Sequence, residues 1–453
     1  MLTKSCAALT ALFFTTLLVA EPRKDRTVVV ISLDAFPAYA LSDSRLPIPT
    51  IRALARAGVS ATSMKPINPT ITWPNHTTLV TGVNASKHHV MFNGLLTYPA
   101  PNRPVEIEPW RDKNEMVGAE TVYDLAEKAG LTTAQVDWVA IYNAKNINWK
   151  FPESPDPHGL IERAMVKEGA VTEAQLSNFG EGSQAWRDQV WTDAAAYILR
   201  TYKPNLMLLH LLTLDSTQHE YGPMHTAGFN AMAFLDDRVK QIVDAVRASG
   251  RLNETTFLIV SDHGSREAKL AIHPDVLLRQ NGIVRGAKKD RNVDAWAVPE
   301  GGCAMVYVTD PAKKAELVPR LRELFVKAEG VEHVYGQEEY TKIGLPLRQD
   351  SNQSPDLFLS AKENYFFDDG DDGAYMTPVF QNGSHGYMND DPKMQEIFIA
   401  AGAGIRKGAQ LGSILNLDVA PTIAALLGIQ MPQADGKPLE EILDKDKVRP
   451  AVH

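Results

Sequence analysis

A doubly wound, mostly parallel α/β sheet with helices on both faces is the fold this chain predicts, and three observations predict it. Three short apolar runs, Thr27–Leu33, Leu206–Leu214 and Thr256–Ser261, read as buried parallel strands. Each runs straight into an aspartate: Asp34, Asp215 and Asp262. Stretches of helical periodicity, long enough for crossover connections, separate the runs. In such sheets ligands gather beyond the carboxyl ends of the strands, so three acids far apart in sequence are predicted along one edge.

The elements follow in order. After Thr27–Leu33, the spacing of Ile51, Leu54 and Ala55 predicts a helix over Pro49–Ala57, stopped by Gly58. Thr121–Ala129 reads as a helix closed by Gly130, and Thr132–Val136 as a strand; the Pro-rich stretch Pro99–Pro109 reads as loop. Apolar positions 186, 190, 194, 197 and 198 predict an amphipathic helix over Trp186–Ile198, with Trp186 and Trp191 as packing residues and Pro204 as its stop. Phe229–Val246 is a further helix, Glu396–Ala400 a strand, and Asp418–Leu427 a helix with Pro421 in its first turn and Gly428 at its end. Residues 265–384 differ in character and read as a small inserted α+β subdomain. It has a helix near Pro311–Val326, strands at Ala304–Val308 and Asp356–Leu359, and an acidic Asp368–Asp372 loop expected to be solvated rather than to bind calcium. The core then comprises 21–264 and 385–453.

At 453 residues the chain exceeds one ordinary domain, and 44% hydrophobic with 22% charged residues is a globular composition. A formal charge of −9 argues against nucleic acid as a structural partner. Residues 1–20 carry one early Lys, an apolar run too short for a stable membrane span, and a small residue before Glu21-Pro22, which reads as a cleaved signal peptide. Its removal takes Cys6 and leaves Cys303 without an internal disulfide partner, so a periplasmic or secreted fold of this size stands on its core.

The stretch Pro69–Asn93 carries the chemistry. Thr72 precedes Trp73-Pro74-Asn75 and a short helix ending at Thr81-Gly82, and Asn93 lies beyond the pair His88-His89. Trp73-Pro74 is expected to set the backbone ahead of the helix, placing Thr72 where free N–H groups favour an anion. A plain N-terminal cap is the alternative for this threonine. Asp215 and His219 stand four residues apart, within reach of one metal on a helix. Asp262-His263 and His385 lie in the Gly-containing segments SDHG and SHG. With Asp34 these make three carboxylates and three imidazoles, enough for two adjacent metal sites. Zinc is the first choice, with manganese or iron as alternatives.

Three stretches, P-T-x-T-W-P-N-H-x-T-x-x-T-G followed by H-x(4)-N, then D-x-x-x-H-x-x-G-P, then S-D-H-G with a later G-S-H-G-Y, make the chain resemble the nucleotide pyrophosphatase/phosphodiesterase family of the alkaline phosphatase superfamily. The resemblance runs from about Thr27 to Gly428. It implies that Thr72 is a nucleophile forming a phospho-threonine intermediate. It implies that Asp34, Asp262, His263 and Thr72 hold one zinc and that Asp215, His219 and His385 hold a second. Asn93 would hydrogen-bond a phosphoryl oxygen. Two divalent cations would balance three aspartates and one alkoxide, a neutral centre that suits the monoanion of a small-molecule phosphodiester.

The chain departs from the family pattern at His88-His89 and near Trp138–Asn143, where relatives shape the leaving-group pocket. Trp138, Tyr142 and Tyr221 are the candidate pocket aromatics, and Arg266 is the one cation placed to reach in. His76, His88, His89 and His225 are expected to be mostly structural, and His210 to be core. A phosphomonoesterase or phosphonate hydrolase through Thr72 is the alternative enzyme, and a non-catalytic phosphate-ester binder the alternative outside catalysis. No C-x-P-x-R or S-x-P-x-R sulfatase motif is present.

Overall fold

The computed structural model describes residues 21–444, so the expected signal peptide and Cys6 lie outside the described residues. Eight strands form the central sheet. In chain order they are β1 (Thr27–Leu33), β2 (Val59–Lys65), β3 (Thr133–Val136), β4 (Trp149–Phe151), β5 (Leu206–Leu211), β6 (Thr255–Val260), β7 (Phe398–Gly402) and β8 (Ala409–Leu415). Their spatial order is β8-β2-β7-β6-β1-β5-β3-β4. All pairings are parallel except the two made by β7, so seven strands run one way and one runs against them.

Alternation along β1 assigns the two faces. Val29, Ile31 and Leu33 meet one apolar layer, with helices α1 (Pro49–Ala57), α4 (Gln184–Thr201) and α6 (Thr226–Ala248) supplying Ile51, Trp191 and Leu235. Val28 and Val30 meet the other, where α2 (Thr72–Thr81), α3 (Val122–Lys128) and α7 (Val419–Leu427) supply Leu79, Val122 and Ile423. Burial on both faces is why β1, β5 and β6 read as unbroken apolar runs.

Two expectations shift in detail. The run from Leu206 ends as a strand at Leu211, and a separate helix, α5 (Thr213–Tyr221), follows, so Asp215 stands in a helical first turn and not at a strand end. The cause is distant in sequence: the buried Asp188 carboxylate on α4 accepts the Leu212 and Thr213 N–H groups at 3.1 and 2.9 Å. A negative side chain there satisfies orphan N–H groups and complements the positive end of the helix. The Pro-rich stretch is also not all loop, because Glu106–Glu108 pairs with Leu95–Thr97.

Between residues 266 and 384 the strands form sheets of their own. Ala295–Glu300, Cys303–Val308, Leu357–Ala361 and Val331–Tyr335 make a four-stranded antiparallel sheet under the helix Lys314–Val326. Arg266–Ile272 lies between Asn364–Phe367 and Met376–Ser384. One face of the four-stranded sheet packs Met305, Tyr307 and Phe358 against Ile71, Met91 and Phe92, so this region buttresses the segment that carries Thr72. In the acidic loop Asp371 is buried and clamped by Arg291 at 2.7 Å and by Arg279, which differs from the solvated loop expected there.

Candidate active site

The sheet register brings the first acids together. Ser32 lies beside Val260 across β1 and β6, which sets Asp34 next to Asp262 two residues on. The Ala35 N–H donates to Asp262 Oδ1 at 3.2 Å, and Asp34, Asp262 and His263 are all buried. Thr72 is the first residue of α2. It is not a cap: Ile71 holds that position, and no side chain there makes a capping bond. Trp73-Pro74 therefore belongs to the first turn and does not precede it, a position where a missing N–H costs nothing. Asn75 holds the approach to the helix, accepting from the Ile67 N–H and donating to the carbonyls of Pro69 and Ile71.

The Thr72 hydroxyl meets the acids. His263 Nε2 lies 3.3 Å from Thr72 Oγ1, 3.4 Å from Asp34 Oδ1 and 3.3 Å from Asp262 Oδ2. Tetrahedral ligands at zinc bond lengths of about 2.0–2.1 Å stand about 3.3–3.4 Å apart. Asp34 Oδ1 and Asp262 Oδ2 are also buried with no hydrogen bond of their own. Buried polar atoms of this kind call for a partner, and the donor set fits a divalent cation.

Asp215, His219 and His385 complete the arrangement. His219 Nε2 is 3.3 Å from Asp215 Oδ1, one turn along α5. His385 follows directly on the strand Met376–Ser384; its ring stacks on His263 at 4.0 Å and meets His219 edge-on at 5.1 Å. Asp215, His263 and His385 form one group of converging donor atoms and Asp34, Asp262 and His263 another, so His263 lies between the two.

Charge in this cluster is unbalanced. Burial, then the neighbouring carboxylates of Asp262 and Asp215, push the Asp34 carboxyl well above its ordinary range. Burial also opposes ionisation of Asp262, but the imidazoles of His263 and His76 overcome it and hold that acid low. For Asp215 burial is again the largest influence, and His219, His385 and His263 outweigh it, holding the carboxyl at about 2. Burial and the other two imidazoles push His385 down to about 3. An Asp34 carboxyl that neighbouring acids keep from ionising, beside a His385 ring held neutral, marks a place with room for added positive charge.

Thr72, Asn93, Asp215, His219 and His385 line one cleft of about 330 Å³. Asn93 Oδ1 accepts the Trp73 N–H at 3.0 Å, so its NH2 group is the remaining donor. Of the N–H groups at the start of α2, that of Trp73 is thus taken by Asn93. The adjoining pocket is lined by Trp73, Trp110, Trp138 and Tyr142. Trp138 is buried against His76 at 5.0 Å, while Trp110 and Tyr142 stand half exposed, edge to face at 6.2 Å. Tyr221 instead stacks on His225 and is not among the described lining residues. Arg266 does not reach in: Asp391 and Glu363 pair with its guanidinium, which lies over the Tyr387 ring.

His88 bonds Thr78 at 3.1 Å, His89 caps a short helix and His225 caps α6, all structural tasks. His76 and His210 differ from that expectation. His76 Nδ1 is 2.9 Å from the Thr72 carbonyl and 3.4 Å from Asp262 Oδ2, and His210 Nε2 is 2.9 Å from Asp34 Oδ2. His210 is buried as predicted, yet its partner belongs to the cluster. The signal for it was present in sequence as a lone imidazole inside the most apolar strand.

The family model for type I phosphodiesterase/nucleotide pyrophosphatase matches residues 28–388. Ectonucleotide pyrophosphatase/phosphodiesterase family member 7 of Mus musculus is 23% identical over 428 residues, covering 92% of this chain and 87% of the relative. Venom phosphodiesterase CdcPDE of Crotalus durissus collilineatus is 21% identical over 424 residues, covering 90% of this chain and 45% of the venom protein. Murine ectonucleotide pyrophosphatase/phosphodiesterase 5 shares the fold, with a TM-score of 0.70 at 17% identity over 92% of this chain and 100% of that one. The extent of the family match, over a sheet whose edge gathers the threonine, acids and imidazoles of the motifs, makes this chain a member of the type I phosphodiesterase/nucleotide pyrophosphatase family and a phosphodiesterase-like hydrolase.

Proposed function

We propose that the chain hydrolyses small-molecule phosphodiesters or pyrophosphates by attack of Thr72 Oγ1 on phosphorus, with two zinc ions as cofactors. The observation that carries this reading is the set of near-equal spacings around His263 Nε2, which includes the Thr72 hydroxyl with two buried carboxylate oxygens. Asp34, Asp262, His263 and Thr72 would hold one cation, and Asp215, His219 and His385 the other. When bound, these ions supply Lewis-acid stabilisation of an ionised threonine oxygen and of charge on the departing oxygen. Thr72 forms the new P–O bond as the ester P–O bond opposite it breaks, giving phospho-threonine and an alcohol or phosphate product. Water then cleaves the phospho-threonine. The Asn93 NH2 donates to a phosphoryl oxygen and orients the group for in-line attack. The half-exposed Trp110 and Tyr142 offer aromatic faces to a leaving group.

Murine ectonucleotide pyrophosphatase/phosphodiesterase 5 has been solved as an inactive threonine-to-alanine variant in complex with AMP, which supports both a threonine nucleophile and nucleotide esters as first substrates to test. Residues 265–384 are proposed as an inserted subdomain that delivers His385 to the cleft. Export to the periplasm or beyond is proposed from residues 1–20, and no helix of the described residues is long and apolar enough to cross a membrane. The test is a comparison of bis(p-nitrophenyl) phosphate with p-nitrophenyl phosphate on zinc-loaded protein. A higher kcat/KM on the diester is expected; a higher value on the monoester would transfer the assignment to a phosphomonoesterase with the same cluster.

A further inference from the structure

A fourth acid stands at the carboxyl edge of the sheet. Strand β3 runs into Asp137 as β1 runs into Asp34, and pairing of Val136 with Leu209 sets Asp137 beside His210. Asp137 is fully buried, has a left-handed backbone with φ of 56°, and neither carboxyl oxygen makes a hydrogen bond of normal geometry. Its Oδ2 lies 3.3 Å from His210 Nδ1, and its own carbonyl oxygen lies 3.2 Å from the same nitrogen. On the far side of the ring, His210 Nε2 lies 2.9 Å from Asp34 Oδ2. The array runs Asp137, His210, Asp34, and only its last member belongs to the proposed zinc ligands.

We propose that Asp137 and His210 are positioning residues: His210 Nε2 holds Asp34 Oδ2 so that Oδ1 faces the proposed cation site, and Asp137 holds the His210 ring in that orientation from its Nδ1 side. This rests on the metal reading of Asp34 given above. Nε2 lies within hydrogen-bond reach of Asp34 Oδ2, and Nδ1 meets the Asp137 carbonyl in hydrogen-bond geometry with the carboxyl Oδ2 beside it, so residue 137 holds one end of the ring while the other end meets the proposed ligand. Removing the carboxyl leaves the carbonyl alone at Nδ1. Removing the ring takes from Asp34 Oδ2 its hydrogen-bond partner. Partners of this kind orient a ligand and raise its affinity for metal.

Four variants of the full chain test this: Asp137→Asn and His210→Gln, which keep an N–H donor, and Asp137→Leu and His210→Phe, which do not. The readouts are zinc bound per chain and zinc affinity in competition with a chelator, beside melting temperature without metal. Weakening of one site by about 10–100-fold is expected for the Leu and Phe variants, with affinity largely restored in the Asn and Gln variants. Equal affinity in all four and in the parent, or equal loss in both members of each pair, would overturn the positioning role and leave only packing. A parent protein that takes up no zinc would instead remove the metal reading itself, so the two failures are distinguishable.

Discussion

The two halves of the cluster are built from different material. Asp34, Asp262 and His263 stand at the ends of adjacent parallel strands, at most 1% exposed, and are bonded to backbone or to buried imidazoles. Asp215 and His219 ride on one short helix, with side-chain exposures of 15% and 43%, and His385 arrives from the strand Met376–Ser384. The sheet half is part of the hydrophobic core, and the helix half is part of the wall of the cleft. Residues of the same types therefore differ in what they cost the fold: an acid in the sheet half must have its charge compensated, whereas the helix half can share the burden with water.

Four measurements sharpen or break that contrast. Thr72 belongs to the sheet half through His263, yet it is the proposed reacting group, so Thr72→Ala should lower turnover by about 10³-fold or more while most of the zinc remains bound. Zinc content unchanged beside full activity would end its role as nucleophile. Asp262→Asn keeps the shape of the side chain and removes a buried charge. In the presence of zinc at about 100 times its dissociation constant, the variant should lose about 3 kcal/mol of stability, the linkage from that site. After chelation the loss should be smaller, what remains being the favourable pairing of that carboxylate with His263 and His76. Urea unfolding with and without chelator reads both, and an equal loss in the two conditions would show that Asp262 serves the fold alone.

His219→Ala should act on the other half only. One zinc should weaken, activity should fall by about 10–100-fold, and metal-free stability should move by no more than about 0.5 kcal/mol, as for an exposed position. A collapse in metal-free melting temperature would contradict the distinction. Asp188→Ala should have the smallest effect on turnover. Loss of the cap on α5 should cost about 1–2 kcal/mol and weaken the Asp215 side of the cluster without touching zinc held at Asp34. Equal weakening of both metals would mean that the helix and sheet halves are one unit.

The mostly parallel sheet was legible because strands buried on both faces leave unbroken apolar runs, and because Gly58, Gly82, Gly130 and Gly428 mark where helices stop. The proposed site residues were legible as types and spacings, and the structure gathers them along the sheet edge. Partners made by side chains were not legible. His210 in an apolar strand reads as core, and only the sheet register discloses Asp34 on one side of its ring and Asp137 on the other. The acid after Thr132–Val136 is the same signal as the acids after the other three runs, in a strand too short and polar to draw attention. Arg266 failed in the opposite sense: it stands beside the SDHG segment in sequence, while Asp391 and Glu363, more than ninety residues on, engage its charge.

By itself the sequence determined the layers of the fold, the family, and the stock of hydroxyl, carboxylate and imidazole groups near strand and helix ends, because periodicity and local spacing are properties of neighbouring residues. Tertiary structure alone decided that Asp215 begins a helix capped by Asp188, that Asn93 takes the Trp73 N–H at the cleft, and that His263 lies between both groups of donors. Those outcomes depend on hydrogen bonds and distances between residues 20 to 229 positions apart, which strand register and burial set and which no local pattern encodes.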